Sequence, residues 1–315
     1  MRRLALNVAT LSQLVLDDVF IEFNGSRRWL RNLLEPLARP AAQRFAGVAV
    51  RFDETVAHFG FREGMRELIS NFASEIKVSG CEHVPEEGPL LLISNHPGTY
   101  DSLAITASLP RDDLKAIAFG FALLRRLPNA SRHLIFTDPG RKPEENFSVL
   151  RAAIRHLQSG GAVLIFPSGK IEPDPAVLPG AAEALSAWSP GFDLLMRKVP
   201  QTKVQLTIAS GVLAPVLLRN PLIKLWKRLG NPQNVAEIIQ IITQMLLGRR
   251  IQVRPNISFG LPKTVDELWR GGSESLYNSV IAEAGHLLTD HMREFIEPNP
   301  FPGAVAASCD ERVRA

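Results

Sequence analysis

Cysteine is scarce in this chain. Only Cys81 and Cys309 occur in 315 residues, and neither belongs to a metal-ligand or redox pattern. Both read as reduced thiols of a cytoplasmic protein. Charge of one sign is also nearly lacking in bulk, since 36 Lys and Arg face 32 Asp and Glu, a net +4. With so small a surplus and no nucleic-acid motif, nucleic acid is not expected as a partner. No apolar run approaches the roughly 18 residues of a membrane-crossing helix. The opening Met1-Arg2-Arg3-Leu4 is basic, but Asn7, Thr10, Ser12 and Gln13 interrupt the apolar stretch behind it, Asp17-Asp18 comes next, and no small-residue cleavage site appears. A secretory signal is therefore not expected. Internal repeats and low-complexity tracts are absent as well. What remains, 45% hydrophobic and 22% charged, is the composition of a globular chain with one large domain or a domain plus an added segment.

The positive charge is unevenly spread. Residues 1–51 hold eight arginines against four acids, a surplus of four that equals that of the whole chain. Trp29, Leu30, Leu33, Leu34 and Leu37 follow helical spacing beside Arg27, Arg28 and Arg31. Such a basic amphipathic helix fits a membrane surface, and it fits equally an ordinary helix packed on a core.

Residues 1–74 read as a helical segment. Phe61, Met65, Leu68, Ile69, Phe72 and Ile76 mark one helical face, while Pro36 and Pro40 are expected to break or kink the helices before it. From 75 to 298 short apolar runs alternate with helical stretches, the pattern of an α/β domain: a mixed central sheet flanked by helices. Strands are expected near 75–79, 90–95, 115–119, 133–137, 162–167, 204–209 and 251–258. Helices are expected at 144–158, with Pro143 in the first turn, at 178–198 in two pieces around Ser189-Pro190-Gly191, and at 274–295. The apolar-basic run 222–229 suits either lipid contact or a structural helix. The tail 299–315 reads as disordered.

The most informative stretch is Asn95-His96-Pro97-Gly98-Thr99-Tyr100-Asp101, directly after the apolar run Leu90–Ile93. Residues five apart on a helix sit about 140° from each other, so a working His96–Asp101 pair needs a bent chain. Pro97 and Gly98 supply the bend, one by fixing φ and the other by permitting unusual φ. A carboxylate folded back on an imidazole holds one tautomer and raises its basicity, as a general base requires. The blander readings are an N-cap for Asp101 and a turn histidine bonded to a backbone carbonyl for His96. A second landmark is Gly160-Gly161-Ala162-Val163-Leu164-Ile165-Phe166-Pro167-Ser168-Gly169-Lys170, a buried strand running into a turn. It is not a nucleotide P-loop, because Leu164 stands where that motif needs glycine.

Together the two landmarks resemble the glycerolipid acyltransferases, whose blocks are written NHxxxxD and FPEGT. The likeness spans roughly residues 75–220 and includes the lead-in Val78–Pro89 and the later strand Gln205–Val212. It implies an acyltransferase-like α/β fold and transfer of a fatty acyl group from acyl-CoA or acyl carrier protein to a lipid hydroxyl. In that reading His96 is the base and Asp101 its partner. Asn95, Arg141, Phe166, Pro167, Ser168, Gly169 and Lys170 line the substrate, Arg141 and Lys170 as phosphate clamps. Backbone N–H groups of the Phe166–Gly169 turn meet the developing oxyanion, and no metal or cofactor is needed. The implied location is cytoplasmic and peripheral on the inner face of a membrane. Two departures stand out: Ser168 replaces the family's glutamate and Lys170 its threonine. Both put the acceptor's identity in question, with Glu172 as a nearby carboxylate. Two rivals stay open. A serine hydrolase would need a nucleophile elbow, and neither Ser168 nor Ser210 has the Gly-x-Ser-x-Gly spacing. The other is a non-catalytic lipid-binding protein on the same fold.

Overall fold

The computed structural model describes residues 7–22, 28–137, 147–218, 232–248, 251–270 and 275–296. Its centre is a seven-stranded sheet of β1 (Lys77–Ser79), β2 (Leu90–Ser94), β3 (Leu114–Phe119), β4 (Leu134–Thr137), β5 (Ala162–Ile165), β6 (Lys203–Ser210) and β7 (Asn256–Phe259). The spatial order is β1-β7-β6-β2-β5-β3-β4. All neighbours pair in parallel except β6 and β7, so β1 and β7 run against the other five. The sheet is mixed and flanked by helices, as the alternation of apolar runs and helical stretches predicts. Strand ends differ from expectation by a few residues, most at β7. Val253 makes only an isolated bridge to Ala73. Pro255, with no N–H to donate, stands before the first ladder residue.

β2 is the middle of the sheet and reads as an uninterrupted apolar run because both its faces are covered. Leu90 and Leu92 enter one core with Tyr100, Ala104 and Ile105, while Leu91 and Ile93 enter the other with Val163 and Ile165. Burying each such side chain contributes roughly 1.5–3 kcal/mol. The first core is continuous with the N-terminal helices through Leu11, Ala46, Phe52, Phe61 and Phe72. Those helices are α1 (Val8–Glu22), α2 (Arg28–Phe59) and α3 (Phe61–Ser70). Polar ties add to the packing. Asp18 accepts the Ala122 and Leu123 N–H groups at 3.2 and 3.1 Å, and Arg44 donates to the Met245 and Leu246 carbonyls at 2.8 Å each.

Pro36 and Pro40 do not end a helix; α2 runs through both. They lie four residues apart and both are exposed, so the missing N–H groups and the crowded carbonyls fall on the solvent side. Gly60, at φ 92°, makes the break instead. Of the proposed basic amphipathic face, the side chains of residues 27–30, 33 and 34 lie outside the described residues. Leu37 is 70% exposed, and Arg31 pairs with Asp17 and Glu35 at 2.5 and 3.1 Å. The 178–198 stretch is two helices, Ala181–Leu185 and Gly191–Lys198. The last helix is Leu276–Phe295, capped by Ser275, whose side chain accepts the Asn278 N–H. Its predicted counterpart at 144–158 is described from Phe147 to Gln158. Residues 138–146, 219–231 and 297–315 lie outside the described residues, and with them the 222–229 run and the tail. Cys81 is disulfide-bonded, so the reading of it as a reduced thiol is corrected; a thiol's state depends on which partner the fold brings within reach, which spacing cannot show. Among the described residues no helix is long and apolar enough to cross a membrane.

Candidate active site

β2 and β5 are adjacent parallel strands in the register Ile93↔Ile165. The residues that follow them therefore leave the same edge of the sheet, the carboxyl end of the parallel strands where α/β proteins place their sites. This register brings the two sequence landmarks together. The His96 ring stacks on Phe166, with centroids 4.3 Å apart and planes 23° from parallel. The Glu172 N–H donates to the His96 carbonyl at 2.7 Å, so the chain beyond the second landmark is hydrogen-bonded to the first.

The bend after β2 folds Asp101 back onto His96. His96 Nδ1 lies 2.8 Å from Asp101 Oδ2. The same oxygen accepts the Gly98 N–H at 3.1 Å, and Oδ1 accepts the Ser102 N–H. Helix α4 (Thr99–Ser108) starts after Gly98, so Asp101 stands at its third position rather than at its N-cap. One carboxylate thus closes the first turn of the helix and holds the imidazole. Asp101 is fully buried, whereas the His96 side chain is 24% exposed. The bonded Nδ1 faces inward, leaving Nε2 as the nitrogen free for an external proton. Burial pushes the ring's pKa down. The charge and hydrogen bond of Asp101 outweigh it, with Glu237 and Glu172 adding when ionised, so His96 sits above its ordinary value.

Gly98 contributes clearance rather than a special backbone angle. Its φ of 161° is extended, but a Cβ there would come within 1.7 Å of Glu237 Oε1. Asn95 is buried, with both ends of its amide engaged on β6: Nδ2 donates to the Ala209 carbonyl at 2.9 Å and Oδ1 accepts the Ala209 N–H at 2.8 Å. In this state it anchors the turn to the sheet. Phe166, Pro167 and Ser168 are half-buried, and Gly169 and Lys170 are exposed. Ser168 Oγ donates to the Lys170 carbonyl at 2.8 Å, tightening the turn. Arg141 lies outside the described residues.

Glu172, two residues past Lys170, is 3% exposed and accepts the Trp188 indole N–H at 3.1 Å. Burial raises its carboxyl, against hydrogen bonds from Ser168 and Trp188 and the pull of His96. Asp174 is fully buried and gathers four backbone N–H groups, those of Ala176, Gly211, Val212 and Leu213, at 2.9–3.1 Å. It fixes the loop after β6 beneath the site.

The other ring of support comes from α10 (Pro232–Leu247). Gln233, Glu237, Gln240 and Gln244 form a buried polar stripe on this mostly apolar helix. Gln233 Nε2 donates to both the Pro97 and Glu172 carbonyls, at 2.7 and 2.8 Å, joining the two landmarks through one amide. Gln240 holds Val212 and Ala214, and Gln244 accepts the Tyr100 hydroxyl at 2.5 Å. The spacing of 4, 3 and 4 residues was there to read. Polar side chains at core spacing in an apolar helix need buried partners.

Ser210 does meet a histidine, but not as a nucleophile. His291 Nε2 lies 2.7 Å from Ser210 Oγ, and its Nδ1 lies 2.7 Å from Ser258 Oγ, with no carboxylate in the chain of contacts. Ser210 and His291 are both completely buried. No metal-holding group of His, Cys, Asp and Glu occurs among the described residues.

The sequence model of the family described as Acyltransferase matches residues 75–189. The likeness is to that stretch of the chain alone. It runs from just before β1 to Ser189 and contains His96, Asp101, the Phe166–Lys170 turn and Glu172. The stripe on α10 lies beyond it. Among solved structures, the 1-acyl-sn-glycerophosphate (LPA) acyltransferase PlsC from Thermotoga maritima is similar at 15% identity, over 95% of this chain and 100% of that one, with a TM-score of 0.43. The strand order and register, not that likeness, establish the fold. A comparison with curated proteins finds no match.

Proposed function

We propose that the protein moves a fatty acyl group from acyl-CoA or acyl carrier protein to a hydroxyl of a glycerolipid precursor or a related lipid, with His96 as general base. The observation that carries this reading is the 2.8 Å contact between Asp101 and His96 Nδ1 beside a half-open ring, inside the stretch matched by the Acyltransferase family model. The acceptor oxygen attacks the thioester carbonyl carbon as His96 Nε2 takes the hydroxyl proton. Asp101 steadies the imidazolium. Collapse of the tetrahedral intermediate breaks the C–S bond, and the proton passes from the imidazolium to the leaving sulfur. Products are the ester and the free thiol, with His96 restored.

In the Phe166–Gly169 turn Pro167 has no N–H and that of Gly169 is bonded to the Phe166 carbonyl at 3.0 Å, so we assign the intermediate's oxyanion to the Ser168 N–H; such donors act on charge that develops only in the transition state. Lys170 and Arg141 serve as cations for a phosphate on the acceptor or on CoA. The enzyme works at a membrane surface, where a lipid acceptor resides. Incubation with acyl-CoA and lysophosphatidate, glycerol 3-phosphate or neutral alcohols, reading thiol release and identifying the ester, tests the proposal. Ester formation that disappears in His96→Ala supports it. Acyl-CoA hydrolysis with no acceptor product, or lipid binding with no thiol released, would replace it. Activity confined to uncharged acceptors would remove Lys170 and Arg141 from the acceptor site.

A further inference from the structure

The His96 turn is gripped from behind, residue by residue, by α10. Gln233 takes the Pro97 carbonyl, and Gln244 takes the Tyr100 hydroxyl. Between them, Glu237 Oε1 accepts the Thr99 N–H at 3.0 Å and Oε2 accepts the Thr99 hydroxyl at 3.3 Å. Gly98 has no side chain to keep this carboxyl away, and a Cβ there would overlap it. A carboxylic acid at a buried position facing another carboxylate is expensive.

We propose that Glu237 is a positioning residue for His96: by fixing the backbone of Gly98 and Thr99 it sets the turn in which Asp101 reaches Nδ1 and Nε2 is left open. This deepens the general-base reading of His96. Glu237 touches neither the ring nor a substrate and acts through the turn. Its carboxyl is faced by Asp101 and His96 from the turn and by Tyr100 from the first turn of α4, and Glu172 also acts on the ring. Burial first, and then repulsion from Asp101, push its pKa to about 8. Around neutrality it is therefore an uncharged acid, and the field at His96 comes from Asp101, with Glu172 adding when ionised. Above pH 8 it ionises, and a further negative charge faces the imidazole.

The test compares Glu237→Ala and Glu237→Gln with the parent in two measurements: acyl-CoA thiol release against pH, and NMR titration of the His96 ring. An ångström of misplacement at a base can cost on the order of 100-fold. Glu237→Ala is thus expected to lower kcat at least about tenfold with KM within about twofold, and to move the His96 midpoint down toward its ordinary value. Glu237→Gln, which keeps an acceptor for the Thr99 N–H, is expected to restore kcat at pH 7 to within about threefold of the parent, well above the alanine variant. It should also remove the change in rate and ring shift that the parent shows above pH 8. Equal kcat and an unmoved His96 midpoint in Glu237→Ala would overturn the proposal. So would a glutamine variant as impaired as the alanine one. If Glu237→Ala does not fold, the glutamine variant's neutral-pH rate and its alkaline limb decide the matter. If the parent transfers no acyl group at all, the proposed acyl transfer fails, while the His96 titration still judges the positioning role.

Discussion

In the proposed acyl transfer, His96 and Asp101 carry the chemistry through one short contact, and its consequences are measurable residue by residue. Replacing His96 by Ala removes the base, and thiol release is expected to fall about 10²–10⁴-fold with the fold intact; an unchanged rate would refute the assignment. The pH dependence has a definite sign. As the proposed general base, His96 acts in its neutral form, and the ring's pKa is held above its ordinary value. Activity should therefore fall as pH drops through that raised value. Asp101→Asn removes the charge that opposes burial, so the acid limb of the rate profile is expected to move to lower pH while the maximal rate drops. A limb that stays in place in that variant would show that Asp101 does not control the ring.

At the level of elements, strand register and loop anchors do the positioning. The Ile93↔Ile165 pairing aligns the exits of β2 and β5, and Asn95, Asp174 and Gly211 tie the neighbouring loops down. Gly211 has φ 69°, and a Cβ there would lie 2.4 Å from the Arg254 carbonyl oxygen. Gly211→Ala combines a left-handed backbone with a backbone clash, so a loss of about 1–3 kcal/mol is expected in chemical denaturation. An alanine variant as stable as the parent would mean that the loop relaxes freely. Much of this scale was legible in the sequence. The apolar runs become strands, and the two-piece reading of 178–198 matches Ala181–Leu185 and Gly191–Lys198. Pro36 and Pro40 do not break the helix as one of their two expected effects would require, because long-range burial of α2 carries the chain through both. Gly98 was legible as necessary, though for clearance from Glu237 and not for its φ.

Across the whole molecule, a buried network joins β1, β7, β6 and the last helix: Ser79 Oγ to Ser258 Oγ at 3.1 Å, then Ser258, His291 and Ser210. Burial lowers the His291 pKa from 6.5 to about 4. The folded protein keeps this ring neutral, while the unfolded chain protonates near 6.5. The resulting stability is complete above about pH 6.5, declines as pH falls and levels off below about 4, a loss on the order of 3 kcal/mol. Urea denaturation at about pH 7 and about pH 4.5 checks it, with His291→Gln expected to flatten that part of the profile. A parent protein equally stable at both pH values would show that the ring accepts a proton without cost.

His96, Asp101 and the Phe166–Lys170 turn could be found in the linear chain because each belongs to a short segment whose spacing carries its own meaning. A histidine and an acid around Pro-Gly, and a glycine turn after an apolar run, are local patterns set by backbone geometry. The buried face that Gln233, Glu237, Gln240 and Gln244 present had no such local meaning. Its significance lies in contacts with residues far away along the chain, which exist only after α10 has packed behind β2 and α4. The same holds for Glu172, whose charge matters at His96 because parallel pairing of β2 with β5 brings the two loops to one edge of the sheet. Short-range geometry can be read from order along the chain, whereas the field and the rigidity around a base depend on what folding brings next to it.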